Sequence, residues 1–484
     1  MSNAPTLVWF RTDLRLADNP ALRRAAERGA PLVCLYILDE GGDRRPPGGA
    51  SRWWLHQSLA ALAQDLARHS VTLHLLRGDP ARIVPDLARR CGAGLVVWNR
   101  RYGAAERALD GALKNDLKAG GVAAESFNSH LLREPWQVKG AATGQPYKVF
   151  TPYWKASLAL GAFEAPLPAP GGLTGWAGDV GGLPLDALGL LPTRPDWAGG
   201  LRATWTPGEA GARARLAAFL DRDIRGYAER RDMPAESVTS RLSPHLAFGE
   251  IGPRQIVQAL AFARSAGDTP ASERDEAKFL SELGWREFAY HVLFSHPALA
   301  REPMNPRFAA FPWHEDAGAL AAWQRGRTGY PLVDAGMREL WQTGTMHNRV
   351  RMVVASFLIK HLGIDWRAGE AWFWDTLVDA DPASNPFSWQ WVAGCGADAA
   401  PYYRIFNPML QGLKFDSAGA YVRRFVPELA ALPDEHIHAP WQAPAGVLAR
   451  AGVRLGQTYP RPIVEHGAAR DRAMADYRAS AEAT

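Results

Sequence analysis

Over the first 130 residues, short β-rich runs alternate with stretches of helical periodicity, and few folds accommodate that order. The runs are TLVWF (6–10), LVCLYIL (32–38), VTLHLL (71–76) and GLVVWN (94–99), with a weaker one near 122–128. Between the first two, NPALRRAAERG offers Asn19 as an N-cap, Pro20 at the first helical position and Gly29 as the stop. In the next gap, SRWWLHQSLAALAQDLARH puts Leu55, Leu59, Leu62 and Leu66 on one helical face. Strands joined through helices pair in parallel, so the pattern predicts a doubly wound α/β sheet. No GxGxxG follows the first strand, and the usual dinucleotide fingerprint is therefore missing.

From about 163 to 208 glycine and proline dominate and neither periodicity holds, which reads as a long interdomain connection laid over the surface. After 209 the patterns are helical almost to the end. The expected organisation is an α/β domain over 1–130, a connection over 131–208 and a helical domain over 209–484.

Composition removes several classes. Cys34, Cys91 and Cys395 lie far apart with no CxxC pair, so neither a disulfide framework nor a four-cysteine metal site can be built, and a reducing cytoplasm fits. The N-terminus carries only a four-residue apolar run, too short for a signal peptide. No apolar stretch reaches the roughly 18 residues a membrane span requires. The formal charge of +5 is compatible with an anionic partner such as nucleic acid. The 19 tryptophans are an unusual number, although spacing alone makes Trp313, Trp366, Trp389 and Trp391 core.

Four segments concentrate chemistry. In TSRLSPHLAFGEIGPRQ (239–255), Thr239, Ser240 and Arg241 precede Ser243 as an N-cap and Pro244; the set is either an ordinary capped helix or a diphosphate cradle. In SERDEAKFLSELGWREFAYHVLF (272–294), Glu282, Trp285, Arg286 and Ala289 share one helical face, as a polar pocket or a surface Glu–Arg pair. TMHNRVRMVVASFLIKHLG (345–363) places Asn348, Arg351, Met352 and Ala355 on one side, with His347 read as a satisfied core histidine. DADPASNPFSWQW (379–391) crowds two carboxylates, an amide and two indoles into 13 residues.

Together with FRTDLRLADNPAL and TGYPLVDAGMREL, these segments and the continuation VAGCGADAAPYYRIFNP resemble the signature stretches of the photolyase/cryptochrome flavoprotein family, in that family's order and over nearly the whole chain. The resemblance implies an N-terminal α/β antenna domain and a C-terminal helical domain holding a U-shaped FAD. Its repair enzymes pass one electron from excited reduced flavin to a flipped-out cyclobutane pyrimidine dimer in DNA, and the electron returns after the dimer splits. Activity as a deoxyribodipyrimidine photo-lyase is expected, by a monomer of the bacterial cytosol acting at the nucleoid on damaged single- or double-stranded DNA.

By resemblance, Tyr227, Thr239, Ser240, Arg241, Leu242, Ser243, Arg286 and Asn348 match flavin-binding positions. Asp379 and Asp381 match residues against the flavin, with Arg351 pairing Asp379. Asn385 falls where the family faces flavin N5; an uncharged amide there suits the anionic reduced flavin that repair needs, whereas an acid would donate a proton. Trp389, Trp366 and Trp313 match the indoles that relay an electron inward, with Trp372, Trp374, Tyr402 or Tyr403 as other entry points. Trp285 and Trp391 match residues that stack on the dimer, and Glu282 the carboxyl that hydrogen-bonds it. Asn348, Arg349 and Met352 complete that pocket, Gln411 and Arg349 lie near the DNA strand, and Arg231 is a further phosphate contact.

Two departures stand out. Thr345 precedes MHNR where many bacterial members carry Trp. Glu106 matches an acidic antenna contact of folate-binding members, but Ala105 replaces the neighbouring Asn; a reduced folate (methenyltetrahydrofolate) is expected ahead of a deazaflavin or an empty pocket. A blue-light photoreceptor signalling through a protein partner, the cryptochrome alternative, predicts a long extension beyond the flavin domain and often an acid facing N5. Repair of (6-4) photoproducts predicts a His pair where this chain has Met346-His347-Asn348, or four cysteines in the iron–sulfur type. A basic helical nucleic-acid-binding domain explains the charge but not the motif order.

Overall fold

The computed structural model describes residues 4–41, 44–140, 143–267, 269–399 and 403–482. Contacts divide them into two compact units: residues 1–225, 240–297 and 378–381 form the first, and 226–239, 298–377 and 382–484 the second.

The first unit is built on five parallel strands: β1 (Thr6–Phe10), β2 (Leu32–Leu38), β3 (Leu73–Arg77), β4 (Leu95–Asn99) and β5 (Ala123–Phe127). Their order is β3-β2-β1-β4-β5, so the winding reverses between β1 and β4. Alternate side chains of each strand feed opposite faces. Val8, Phe10 and Cys34 join Leu22 of the helix Pro20–Glu27 and Leu55, Leu59, Leu62 and Leu66 of the helix Gly49–Ala67 in one apolar layer. Leu7, Trp9, Val33 and Val96 meet Val84 and Leu87 of Pro80–Cys91 and Leu109 and Leu113 of Ala104–Ala119 in the other. The expected doubly wound sheet is present. The N-cap at Asn19 is real: its side chain accepts from the Leu22 N–H at 3.1 Å.

The FRTDLRLADNPAL stretch serves the architecture. Arg11 pairs with Asp110 at 2.7 Å, and the Asn99 side chain donates to Asn19 at 2.7 Å. Arg15, almost wholly buried, donates to the carbonyls of Gly249 and Ser129.

The connection after 163 runs largely over the surface, as expected, but is anchored to the sheet at several points. Leu32 N–H donates to the Thr174 carbonyl (2.8 Å) and Leu183 N–H to that of Leu75 (2.7 Å), stitching it to β2 and β3. Leu173, Leu188 and Leu190 enter one apolar layer and Val180 the other. Aperiodic leucines suffice here, because filling the margin of an existing sheet requires no regular element of their own.

The second unit is helical, and among its described residues no strand is formed. Its helices include Pro331–Thr343, Asn348–Ser356, Trp366–Thr376, Ser384–Ala393 and His466–Glu482. No helix of the described residues is long and apolar enough to cross a membrane.

Candidate functional site

The residues singled out by sequence fall in both units. In the first, the helix Glu273–Ser295 begins on a capping box: Ser272 accepts from Asp275 N–H, and Asp275 returns the bond to Ser272 N–H. Glu282 is half-buried and paired with Lys278 at 3.0 Å. Trp285 lies face to face with Phe150, ring centroids 3.8 Å apart.

Arg286 turns inward. Its guanidinium donates to the His130 carbonyl (2.8 Å) and to His130 Nε2 (2.6 Å). The same Nε2 lies 2.8 Å from the Tyr290 hydroxyl, which reaches Asp381 Oδ2 at 2.6 Å. A buried polar chain thus runs Arg286–His130–Tyr290–Asp381. Burial, reinforced by Arg286, pushes His130 well below the usual histidine range, so the ring is neutral and accepts. Burial likewise holds the Tyr290 phenol well above its ordinary value. Next along the helix, Glu287 accepts from the N–H groups of Leu132 (2.7 Å) and Arg133 (3.2 Å). Burial outweighs these bonds and the neighbouring Arg286, raising the Glu287 carboxyl to about 7.

Ser243 corrects one reading. It is the first residue of the short helix Ser243–Ala247, not its cap, and its hydroxyl donates to Asp379 Oδ2 at 2.6 Å. Arg241 adopts a left-handed φ of 52°, with its guanidinium 4.4 Å from the centre of the Trp205 ring. Ser240 offers its carbonyl to Arg215, and Leu242 is buried. The first unit therefore joins Ser243 to Asp379, while Asp381 is held by Tyr290.

In the second unit, Asn385 is buried and its amide donates twice to one residue: to the Glu370 carbonyl (3.1 Å) and to Glu370 Oε1 (2.9 Å). The donor end of the amide is therefore fixed, and its oxygen is turned away from Glu370. Trp389 packs edge-on to Phe373 (5.0 Å) and Trp323 (6.3 Å), Trp366 is fully buried, and Trp313 lies 4.4 Å from Phe311, its buried indole N–H lacking a partner among the described residues. Phe311 also approaches Tyr403, which stacks on Tyr477 at 4.5 Å. Trp372 stacks on the exposed Trp341 at 6.0 Å; Trp374 is half-buried, and Tyr402 lies outside the described residues.

His347 caps the helix Asn348–Ser356 through Nδ1, which accepts from Arg349 N–H at 3.2 Å. Burial lowers it to about 4, so it stays neutral at physiological pH. Along that helix exposure grades from Asn348 (exposed) through Arg351 and Met352 (half-buried) to Ala355 (buried). Arg351 donates to the Met346 carbonyl (2.7 Å) and to Thr345 Oγ1 (3.4 Å), so the Thr at 345 supplies an acceptor that an indole lacks. Arg349 pairs with Asp232 at 2.6 Å and lies over Phe415, on the helix that carries Gln411. Gln411 Oε1 is buried without a hydrogen-bond partner among the described residues. Tyr227 is buried with the Arg231 guanidinium 5.8 Å from its ring centre. Trp391 is half-buried.

Glu370, Tyr290, His130 and Phe150 were not anticipated. Glu370 had one local signal: Trp366, Glu370 and Phe373 share an apolar face at i, i+4 and i+7, where a carboxylate demands a partner.

A doubly wound parallel sheet accompanied by an indole-rich helical unit defines an α/β-plus-α class of two-unit proteins. A family model described as "DNA photolyase" matches residues 6–171, and one described as "FAD binding domain of DNA photolyase" matches residues 279–479. The chain is 52% identical to a deoxyribodipyrimidine photo-lyase of Agrobacterium fabrum, over 100% of both chains. It is 39% identical to cryptochrome-1 of Arabidopsis thaliana, over 96% of this chain and 68% of that one. A bacterial class III photolyase from Agrobacterium tumefaciens superposes with a TM-score of 0.96 at 51% identity, covering 100% of this chain and 98% of that one. The chain belongs to the photolyase/cryptochrome family.

Proposed function

We propose that this protein is a deoxyribodipyrimidine photo-lyase that uses light and FAD to split cyclobutane pyrimidine dimers in damaged DNA. The observation that carries the reading is Asn385, a buried amide whose donor end is tied to Glu370 at the position the family sets against flavin N5. An amide so held presents no ionisable proton, which suits a flavin kept anionic and fully reduced.

The residues present fit FAD. In the first unit, the Ser240 hydroxyl and Arg241, with the Leu242 N–H and Arg286, supply donors for a diphosphate, while Asp379, which accepts from the Ser243 hydroxyl, and Asp381 supply fixed acceptors. In the second, Tyr227, Thr239, Asn348, Arg351 and Asn385 match flavin-contact positions of the family. When bound, reduced and excited, FAD supplies the electron that opens the cyclobutane ring and then recovers it. Glu282 hydrogen-bonds the dimer and stabilises charge developing on it. Trp285 and Trp391 give the displaced pyrimidines aromatic faces, and Asn348, Arg349 and Met352 line their surroundings. Arg349 and Gln411 approach the DNA strand, so affinity falls as salt rises. Trp389, Trp366 and Trp313 relay electrons for photoreduction, indoles being oxidisable and tolerant of burial. Glu106 is the contact for a reduced-folate antenna. The protein acts as a monomer, at the nucleoid in the cytosol.

Illumination of the reduced, FAD-loaded protein with a dimer-containing oligonucleotide tests this. Recovery of intact thymine in the light and none in the dark is expected; no recovery in the light overturns it.

A further inference from the structure

The Trp285 indole belongs to a run of near-parallel rings within the first unit. Phe150 lies on it with planes 12° from parallel and centroids 3.8 Å apart. Trp154 is parallel to Phe150 to within 12° at 6.4 Å, and Phe163 lies 6.2 Å from Trp154 at 21°. The Arg133 guanidinium lies 4.8 Å from the Phe163 ring centre. The backbone makes room for this arrangement: a Cβ on Gly284, the residue before Trp285, would stand 2.7 Å from the Trp154 ring.

Phe150 and Trp285 also meet Phe288 at steep angles, 63° and 70°. A face-to-face contact on Trp285 has two physical effects. It fixes the indole plane, because rotating the ring would drive it into Phe150. It also occupies one π-face, since no base can enter a gap already filled at 3.8 Å.

We propose that Phe150 is a positioning residue for the substrate: it seats Trp285 so that a flipped pyrimidine stacks only on ring surface turned away from Phe150, in a fixed plane. The proposal rests on the reading of Trp285 as a lesion-stacking residue. A plane fixed before binding spares the entropy of ordering the indole when the lesion arrives.

Dark equilibrium binding by the FAD-loaded protein tests it, with a dimer-containing oligonucleotide and its intact copy measured side by side. Phe150→Leu is expected to reduce the preference for the dimer about tenfold, the scale of one base–aromatic contact, while binding intact DNA as before. Phe150→Tyr, which keeps the ring, is expected to retain the preference. A Leu variant with wild-type preference overturns the proposal, as does a Tyr variant as impaired as Leu, or an equal loss for intact DNA. Trp154→Leu, one ring further back, is expected to give a smaller loss in the same direction; unchanged preference there also overturns it. It serves as the test should Phe150→Leu not fold. Trp285→Ala separates the two levels: a retained preference in that variant removes the stacking role itself, and with it the proposal.

Discussion

Replacing Asn385 by Asp puts an oxygen where the amide donor stands, facing both the Glu370 carbonyl at 3.1 Å and Glu370 Oε1 at 2.9 Å. Three acceptors then converge in a buried site with no hydrogen between them. Two unit charges 2.9 Å apart repel by about 6 kcal/mol at an effective dielectric of about 20, equivalent to about 4 pK units. The pair therefore retains one shared proton at neutral pH. The sign follows: a carboxyl pair that binds its proton more tightly folded than unfolded is favoured at low pH, and this advantage is lost as pH rises toward about 8. Up to about 5 kcal/mol is lost between pH 4 and 8, which at about 2.1 cal/mol/K per residue lowers the melting midpoint by about 5 °C. Thermal melts of wild type and variant from pH 5 to pH 8.5, monitored through FAD release, measure the gap. The gap should widen with pH, and Glu370→Gln on the variant background should close it, because the Gln amide restores a donor. A pH-independent gap, or one that Glu370→Gln does not narrow, refutes the reasoning. The retained proton also has a functional consequence: Asn385→Asp should accumulate less fully reduced flavin on illumination and repair more slowly.

Glu282→Ala is expected to lower repair yield per bound dimer about tenfold with a smaller change in dimer affinity, read by quantum yield against dark binding; equal losses would contradict an electrostatic role. Trp313→Phe should block photoreduction yet leave repair by dithionite-reduced protein intact. Full photoreduction in that variant would point instead to entry through Trp341 and Trp372, which stack 6.0 Å apart, or through Tyr403. Burial raises Glu287 to about 7, so its contribution favours the fold at low pH and is lost as pH climbs from about 4.5 through 7. The melting difference between wild type and Glu287→Gln should therefore shift against the wild type between pH 5 and 8; a constant difference would show that Glu287 titrates normally.

The sheet was legible because its signals are local. Each strand is a short apolar run, and the stripe of Leu55, Leu59, Leu62 and Leu66 lies within one helix. The motif residues were legible only as a set, through the order of six stretches; no single stretch distinguished a pocket from a surface pair. What remained hidden depends on pairings remote in sequence. Arg286 finds His130 across 156 residues, and Ser243 finds Asp379 across 136. Asn385 and Glu370 are only 15 apart but sit on different helices, and Phe150 stacks on Trp285 from within the connection. The anchors of the connection were hidden because glycine and proline masked leucines whose role is to fill the margin of a sheet.

The central claim is a light-driven reaction in which the flavin ends each cycle in the state it began. Its most direct test is the number of dimers split per FAD after a single reduction, under continuous light without oxygen or added reductant. Many turnovers per flavin, with the absorbance of the reduced form unchanged at the end, are predicted. Repair that halts at one dimer per FAD, or that tracks the loss of reduced flavin, would contradict the account.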